Sequence, residues 1–171
     1  MADAPVFQSS ITNPTPAKGS LTLTDESALT KVSVRGADMG VRFGASEHSG
    51  DVLVVGSRPD EWTVLGESDA VAAVVDGLDL SGFASTTDIT HSRFCVRLTG
   101  AGAAKALEKV CGLDLSDAMT PNGAAFGASV AKVTCDVVRD DLDGAPSYRF
   151  LADRSFGQYF WDSLRDCAAE F

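Results

Sequence analysis

The chain is short of positive charge: 14 Lys and Arg face 24 Asp and Glu in 171 residues, a formal net charge of −10 at pH 7. Affinity for phosphate backbones comes from Lys and Arg displacing counterions, so nucleic acid is not an expected ligand. Cysteine is scarce and unpatterned. Cys95, Cys111, Cys135 and Cys167 are widely and unevenly spaced with no C-x-x-C pair, so a zinc site is not expected. Three of the four lie in apolar-periodic segments, where a thiol behaves as a small hydrophobe, and reduced thiols point to the cytoplasm. Long apolar runs are also missing. None approaches the roughly 20 residues of a membrane span, and the opening MADAPVFQSS lacks the basic and apolar regions of a secretion signal. No membrane partner is expected.

What is present is a globular composition, 44% hydrophobic and 22% charged, in a length that suits one domain with a real core. Residues 1–20, with Asn13-Pro14-Thr15-Pro16 and Lys18-Gly19-Ser20 and no hydrophobic period, read as a flexible N-terminal segment. Residues 21–171 read as a single domain. Its structure is expected to begin at KVSVRG, where Val32 and Val34 alternate with Lys31, Ser33 and Arg35, with a second short strand at Met39–Phe43 and a loop at SEHSG. DVLVVGS and EWTVLG flank Arg58-Pro59-Asp60 as a hairpin. A helix capped by Ser68 follows, with Val71, Val74, Val75 and Leu78 on its apolar face and Gly77 near its end.

Phe94, Val96 and Leu98 alternate with Arg93, Cys95 and Arg97 as a strand, and a helix then carries Ala103, Leu107, Val110 and Cys111 to Gly112. The chain closes as it opened. SVAKVTCDVVRD and SYRFLADR read as strands around a turn at Asp143-Gly144, and a last helix starts at a Ser155/Gln158 capping box and carries Phe156, Phe160, Leu164 and Cys167 or Ala168 on one face. The fold class is α+β: a mixed or antiparallel sheet covered by helices, with hairpin-helix units at both ends.

Chemical equipment is sparse. Gly100-Ala101-Gly102-Ala103-Ala104-Lys105 sits between a strand and a helix as a phosphate-binding loop would, but Lys105 stands where the third glycine belongs, and a small-residue turn explains it better. His91, between Thr90 and Ser92, has the chemistry of a general base; with His48 as the only other histidine and no nucleophile elbow, a structural role fits it better. The acidic runs Asp140-Asp141-Leu142-Asp143 and Asp114–Asp117 lack the calcium-loop pattern and read as solvated turns. Trp62 and the cluster Tyr159-Phe160-Trp161 read as core, except that three adjacent helical aromatics cannot share one face, so at least one should reach a second surface that a partner covers. No residue is assigned a catalytic, cofactor-binding or metal-binding role.

Several stretches resemble one family. RPDEWTVLG is similar to the G-P-D-E-W segment of sarcosine oxidase gamma subunits, and DITHSRFCVRLTGAGAAKALEKVCGLDL resembles their D-x-S-H, L-x-G and A-x-x-L-x-K-x-C-x-L-D-L stretch. TKVSVRG and YRFLADRSFGQYFWDSL are similar to that family's N-terminal strand and its ending. The resemblance implies a domain like the folate-binding domain of aminomethyltransferases. It also implies an accessory role in a heterotetrameric sarcosine oxidase, with alpha, beta and delta subunits as partners. FAD, FMN, NAD and zinc are then expected in those partners and no cofactor in this chain, with tetrahydrofolate as a methyl-carbon acceptor for the complex. The K-G-C-Y-x-G-Q signature of folate-dependent iron–sulfur maintenance proteins is absent, which speaks against folate chemistry here. The alternative is a free-standing tetrahydrofolate-binding one-carbon module, which needs a concave pocket with a carboxylate able to pair with a pterin ring.

Overall fold

A computed structural model describes residues 6–171. Ten strands form two antiparallel five-stranded sheets. β1 (Thr22–Asp25), β7 (Arg93–Thr99), β8 (Ala125–Val130), β9 (Val133–Arg139) and β10 (Ser147–Asp153) make the first, in the order β1-β7-β10-β9-β8. β2 (Thr30–Arg35), β3 (Ser46–Ser49), β4 (Val52–Arg58), β5 (Glu61–Gly66) and β6 (Ser85–Asp88) make the second, in the order β3-β4-β5-β2-β6. The sheets face each other. Helix α1 (Ser68–Asp76) covers the outer face of the second sheet, and α2 (Ala103–Leu107) and α3 (Gly157–Ala168) cover that of the first.

Because each sheet is covered on both faces, its central strands are apolar on both sides. In β4, Val52 and Val54 pack toward α1 while Leu53 and Val55 face the other sheet. In β7, Phe94, Val96 and Leu98 pack under α2 and α3 while Cys95 points inward. The inter-sheet core is small, built around Leu53, Val55, Leu65, Cys95, Val138 and Leu151. The core beneath α3 is larger and holds Phe94, Tyr148, Phe150, Phe160 and Trp161.

The expected hairpin at Pro59-Asp60, the strand around Phe94–Leu98, the Asp143-Gly144 turn and the closing helix are all present. Other elements differ. Met39–Phe43 is a loop, bent by Gly40 and Gly44 at positive φ (73° and 82°), and the strand lies instead in the supposed loop SEHSG as β3. That loop crosses β4 so closely that a Cβ on Gly56 would lie 2.2 Å from the Arg42 carbonyl oxygen. The polar strands β1 and β6 carry no strong apolar alternation and escape a periodicity reading. SVAKVTCDVVRD is two strands: Ala131 and Lys132 both take positive φ (48° and 66°), making a tight hairpin turn without the glycine that usually announces one.

Helix ends differ too. Glu67, not Ser68, is the N-cap of α1, without a side-chain bond. α2 stops at Leu107, and Cys111 instead forms a bridge to Val130. Ser155 and Gln158 form no capping box: Asp153 accepts from the Ser155 amide at 2.8 Å, and Gln158 Oε1 accepts from the Asn13 amide at 2.8 Å. That second bond belongs to the N-terminal segment, whose described residues run along α3. Ile11 is buried in the core there, and the Trp161 indole donates to the Thr15 carbonyl at 3.1 Å. Residues 1–5 lie outside the described residues.

Candidate functional site

The layer between the sheets is where polar side chains collect, and strand alternation explains why. In β2 the residues opposite Val32 and Val34 are Lys31, Ser33 and Arg35; in β5 they are Glu61, Thr63 and Leu65; in β7 they are Arg93, Cys95 and Arg97. Read alone, each such face looks solvent-exposed. Once the sheets stack, the apolar members meet in the middle and the polar ones are left at the two ends.

One end is closed. Glu26, just after β1, accepts from Arg149 Nε at 2.6 Å and lies 3.4 Å from Arg97 Nη1. Asp140, just after β9, accepts from Arg97 Nη2 at 2.6 Å and pairs with Arg149 as well. Arg97 Nε donates to Ser147 Oγ at 2.8 Å, and His48 Nε2 is 2.8 Å from Asp140. Two guanidiniums thus meet two carboxylates. Burial alone would lower the Arg149 pKa, but Glu26 and Asp140 outweigh it and hold it above the ordinary arginine value.

Next to this network Lys31 is fully buried, its Nζ donating to the Ser27 and Leu29 carbonyls at 2.8 and 2.6 Å. Burial depresses its pKa, with Asp25, Asp88 and Glu26 acting in the other direction. Burial likewise pushes the Cys95 thiol up to about 12, reinforced by Glu26. A thiol held protonated and shut away from solvent is not a nucleophile.

The other end is open. A polar cleft of about 380 Å³ is floored by Ser33, Thr63 and Glu61, walled by Thr87 of β6 and by the Arg93–Asp136 pair of the first sheet, and rimmed by Arg35 and Arg58. Glu61 accepts from Ser33 Oγ at 3.1 Å and from Arg35 Nη2 at 2.9 Å, and lies 3.3 Å from Arg58 Nη1. One carboxylate serves two guanidiniums. Chemically, such a cleft can hold polar or anionic groups.

The sequence candidates fall elsewhere. In the glycine-rich loop, Gly100 (φ 141°) donates its N–H to the Pro146 carbonyl, and a Cβ there would lie 2.6 Å from Leu21; the Ala103 amide donates to the Gly100 carbonyl. The loop is a packing turn. His91 is exposed, while Thr90 Oγ1 accepts from the Lys31 amide and Ser92 Oγ donates to the Ile89 carbonyl, so neither hydroxyl is engaged with its ring. The reading of Asp140 as part of a solvated turn is corrected: it is buried, because Arg97 and Arg149 reach it from two strands. Asp141 pairs with Arg139, and Asp114 holds the Ser116 amide. Among the described residues no group of three or more His, Cys, Asp and Glu is placed to hold a metal.

Trp62 and Trp161 are core, and the expectation that one of the helical aromatics faces outward is met by Tyr159, half-exposed with its hydroxyl donating to the Ala131 carbonyl. Phe156, expected on the buried face, is half-exposed because it precedes α3 in a 3-10 turn. The open cleft itself was missed. Its one visible signal was the R-P-D-E turn, which places Arg58 and Glu61 three positions apart across the β4–β5 hairpin.

Two stacked antiparallel sheets with helices outside define an α+β domain of the aminomethyltransferase kind. The glycine cleavage system aminomethyltransferase T from Bartonella henselae superposes with a TM-score of 0.66 at 14% identity, over 86% of this chain and 46% of that one. A chain of the heterotetrameric sarcosine oxidase from Corynebacterium sp. U-96, solved in complex with pyrrole 2-carboxylate, gives 0.77 at 22% identity, over 91% of this chain and 88% of that one. A search of curated proteins finds no significant match. The model of the sarcosine oxidase gamma subunit family matches residues 32–170, and the chain belongs to that family.

Proposed function

We propose that this chain is the gamma subunit of a heterotetrameric sarcosine oxidase, an accessory member of a complex with alpha, beta and delta subunits that oxidatively demethylates sarcosine to glycine. In this reading FAD, FMN, NAD and zinc reside on the partner subunits, and the complex works in the cytoplasm, where its thiols stay reduced. The observation that carries the proposal is the family match over residues 32–170. The inter-sheet chemistry supports an accessory role. Lys31 is sealed by backbone carbonyls, Cys95 is held protonated, and Glu61 and Asp136 are each engaged by arginine.

The shared fold with an aminomethyltransferase favours, as a second reading, a module that binds tetrahydrofolate by itself. A pterin would need a carboxylate free to pair with its ring, and both cleft carboxylates already hold guanidiniums. The cleft therefore offers no free carboxylate to a pterin, and the first reading puts any tetrahydrofolate used by the complex on a partner.

The test is co-expression with neighbouring genes for large flavin subunits, followed by size-exclusion chromatography, a flavin absorbance spectrum and sarcosine-dependent oxygen uptake. The expected result is a yellow, sarcosine-oxidising complex containing this chain. Elution alone, with tetrahydrofolate binding in a calorimeter, would overturn the proposal in favour of the module.

A further inference from the structure

We propose that α3 and the turn leading into it form a groove for an extended peptide, and that the chain's own residues 8–15 fill it as a removable ligand rather than as part of the core. This inference goes beyond the subunit reading and does not depend on it. It rests on how the segment is held, how little of it is buried and how the groove is shaped.

The groove grips main chain. Arg154 Nη2 donates to the Gln8 carbonyl at 2.6 Å, and the Trp161 indole donates to the Thr15 carbonyl at 3.1 Å. Between them Gln158 uses both ends of its amide on one residue: Oε1 accepts from the Asn13 amide at 2.8 Å, and Nε2 donates to the Asn13 carbonyl at 3.4 Å. Three side chains from one helical stretch thus address the backbone of the segment at three points, and main-chain hydrogen bonds of this kind give a peptide groove its affinity. Two hydroxyls add to them, Ser9 donating to Asp25 at 2.6 Å and Thr12 to Gln158 Oε1 at 3.2 Å. One side chain is read by burial, since Ile11 sits in the core beneath α3.

The segment is otherwise shallow. It forms no strand or helix, and between residues 6 and 20 Ile11 alone is buried, with residues 12–16 exposed. An element with one buried apolar side chain and hydrogen bonds open to water belongs to the low-stability end of a fold. Pro14 and Pro16 restrict its backbone, which lowers the entropy lost on seating it.

Gly157 shapes the floor. A Cβ there would overlap Ser10 Oγ and lie 2.9 Å from Ser10 Cβ. Its own backbone, at φ −53° and ψ −53°, is ordinary helix that any side chain tolerates, so the missing side chain makes room for the passing segment.

The test uses two full-length variants. Ile11→Asp removes the anchor and leaves the groove intact, whereas Gly157→Leu fills the groove with a residue that suits a helix. Each is compared with the parent chain for amide exchange at Asn13 and Leu164, and for binding of a fluorescent peptide with the sequence of residues 6–17. The proposal expects Asn13 exchange to rise at least tenfold in both variants while Leu164 in α3 keeps its protection. It also expects saturable peptide binding by Ile11→Asp alone, because the parent groove is filled and the Gly157→Leu groove is blocked; the peptide carrying the same Ile-to-Asp change should not bind. An Ile11→Asp chain that unfolds, or Leu164 exchange that rises in step with Asn13 in either variant, makes the segment part of the core and overturns the proposal. A released segment with no peptide binding to Ile11→Asp removes the groove, and equal binding to Gly157→Leu puts the peptide elsewhere. No partner subunit enters this experiment, so its failure leaves the subunit reading standing.

Discussion

At the closed end of the inter-sheet layer, Arg97 and Arg149 expose 7% and 10% of their side chains and share two carboxylates; at the open end, Arg35 and Arg58 expose 66% and 53% and share one. The residue types match, and the surroundings set different consequences. Where water is excluded, each charge depends on its partner, and removing one leaves the other desolvated and unpaired. Where water reaches the guanidinium, the ion pair contributes little, and the charge stays available to something else. The closed end therefore ties β1, β7, β9 and β10 of the first sheet to one another, whereas the open end keeps its guanidiniums in water, where a partner can reach them.

The comparison can be tested in order of expected effect. Asp140→Ala, which leaves two buried guanidiniums to share Glu26 alone, should destabilise the isolated chain by about 3–5 kcal/mol in urea unfolding. A loss below 1 kcal/mol would mean that the network is wetter than its burial indicates. The apolar middle of the layer has its own signature in alkali. Cys95 keeps its proton up to about 12 in the folded chain, whereas an unfolded thiol releases it above 9.0, so the folded state loses stability as pH rises through that window. The slope for one such thiol is about 1.4 kcal/mol per pH unit, and Cys135, also pushed up to about 12 chiefly by burial, adds its own. Under reducing conditions Cys95→Ala should flatten the decline by one thiol's share, measured as unfolding free energy from pH 9 to 11.

Glu61→Gln at the open end should cost about 1 kcal/mol or less, since Arg35 and Arg58 fall back on water. A loss as large as that of Asp140→Ala would erase the distinction between the ends. The smallest change is expected from His48→Ala, roughly 0.2–1 kcal/mol, because the imidazole approaches Asp140 from solvent with 54% of its side chain exposed.

How much of this was legible in the sequence follows from what alternation can report. Val32 with Val34, and Phe94 with Val96 and Leu98, mark the faces toward the helices, and those faces are as expected. The opposite faces carry no such mark, because Arg93, Arg97 and Ser33 look the same in sequence whether they meet water or a second sheet. Only the partner sheet distinguishes those cases, and it is brought in by pairings far apart in the chain, such as the contact of Gly44, Ala45 and Ser46 with the Gly123–Ala125 segment. Glu26 and Arg149, which are 123 residues apart, carry no local sign that they will meet. The Ala131-Lys132 turn was invisible for a different reason: two non-glycine residues in left-handed conformation are uncommon, so turn chemistry gave no signal there. Family resemblance supplied what physics could not, since the motifs around Trp62 and from Asp88 to Leu115 lie within the stretch that the family model matches.

The most direct measurement of the central claim is made on the double variant Arg35→Glu/Arg58→Glu, comparing its unfolding curve alone with its co-elution in the co-expressed complex. The account expects stability within about 1 kcal/mol of the parent chain together with at least a tenfold loss of assembled complex. Undiminished assembly would contradict it, because the open end would then play no part in joining the partners.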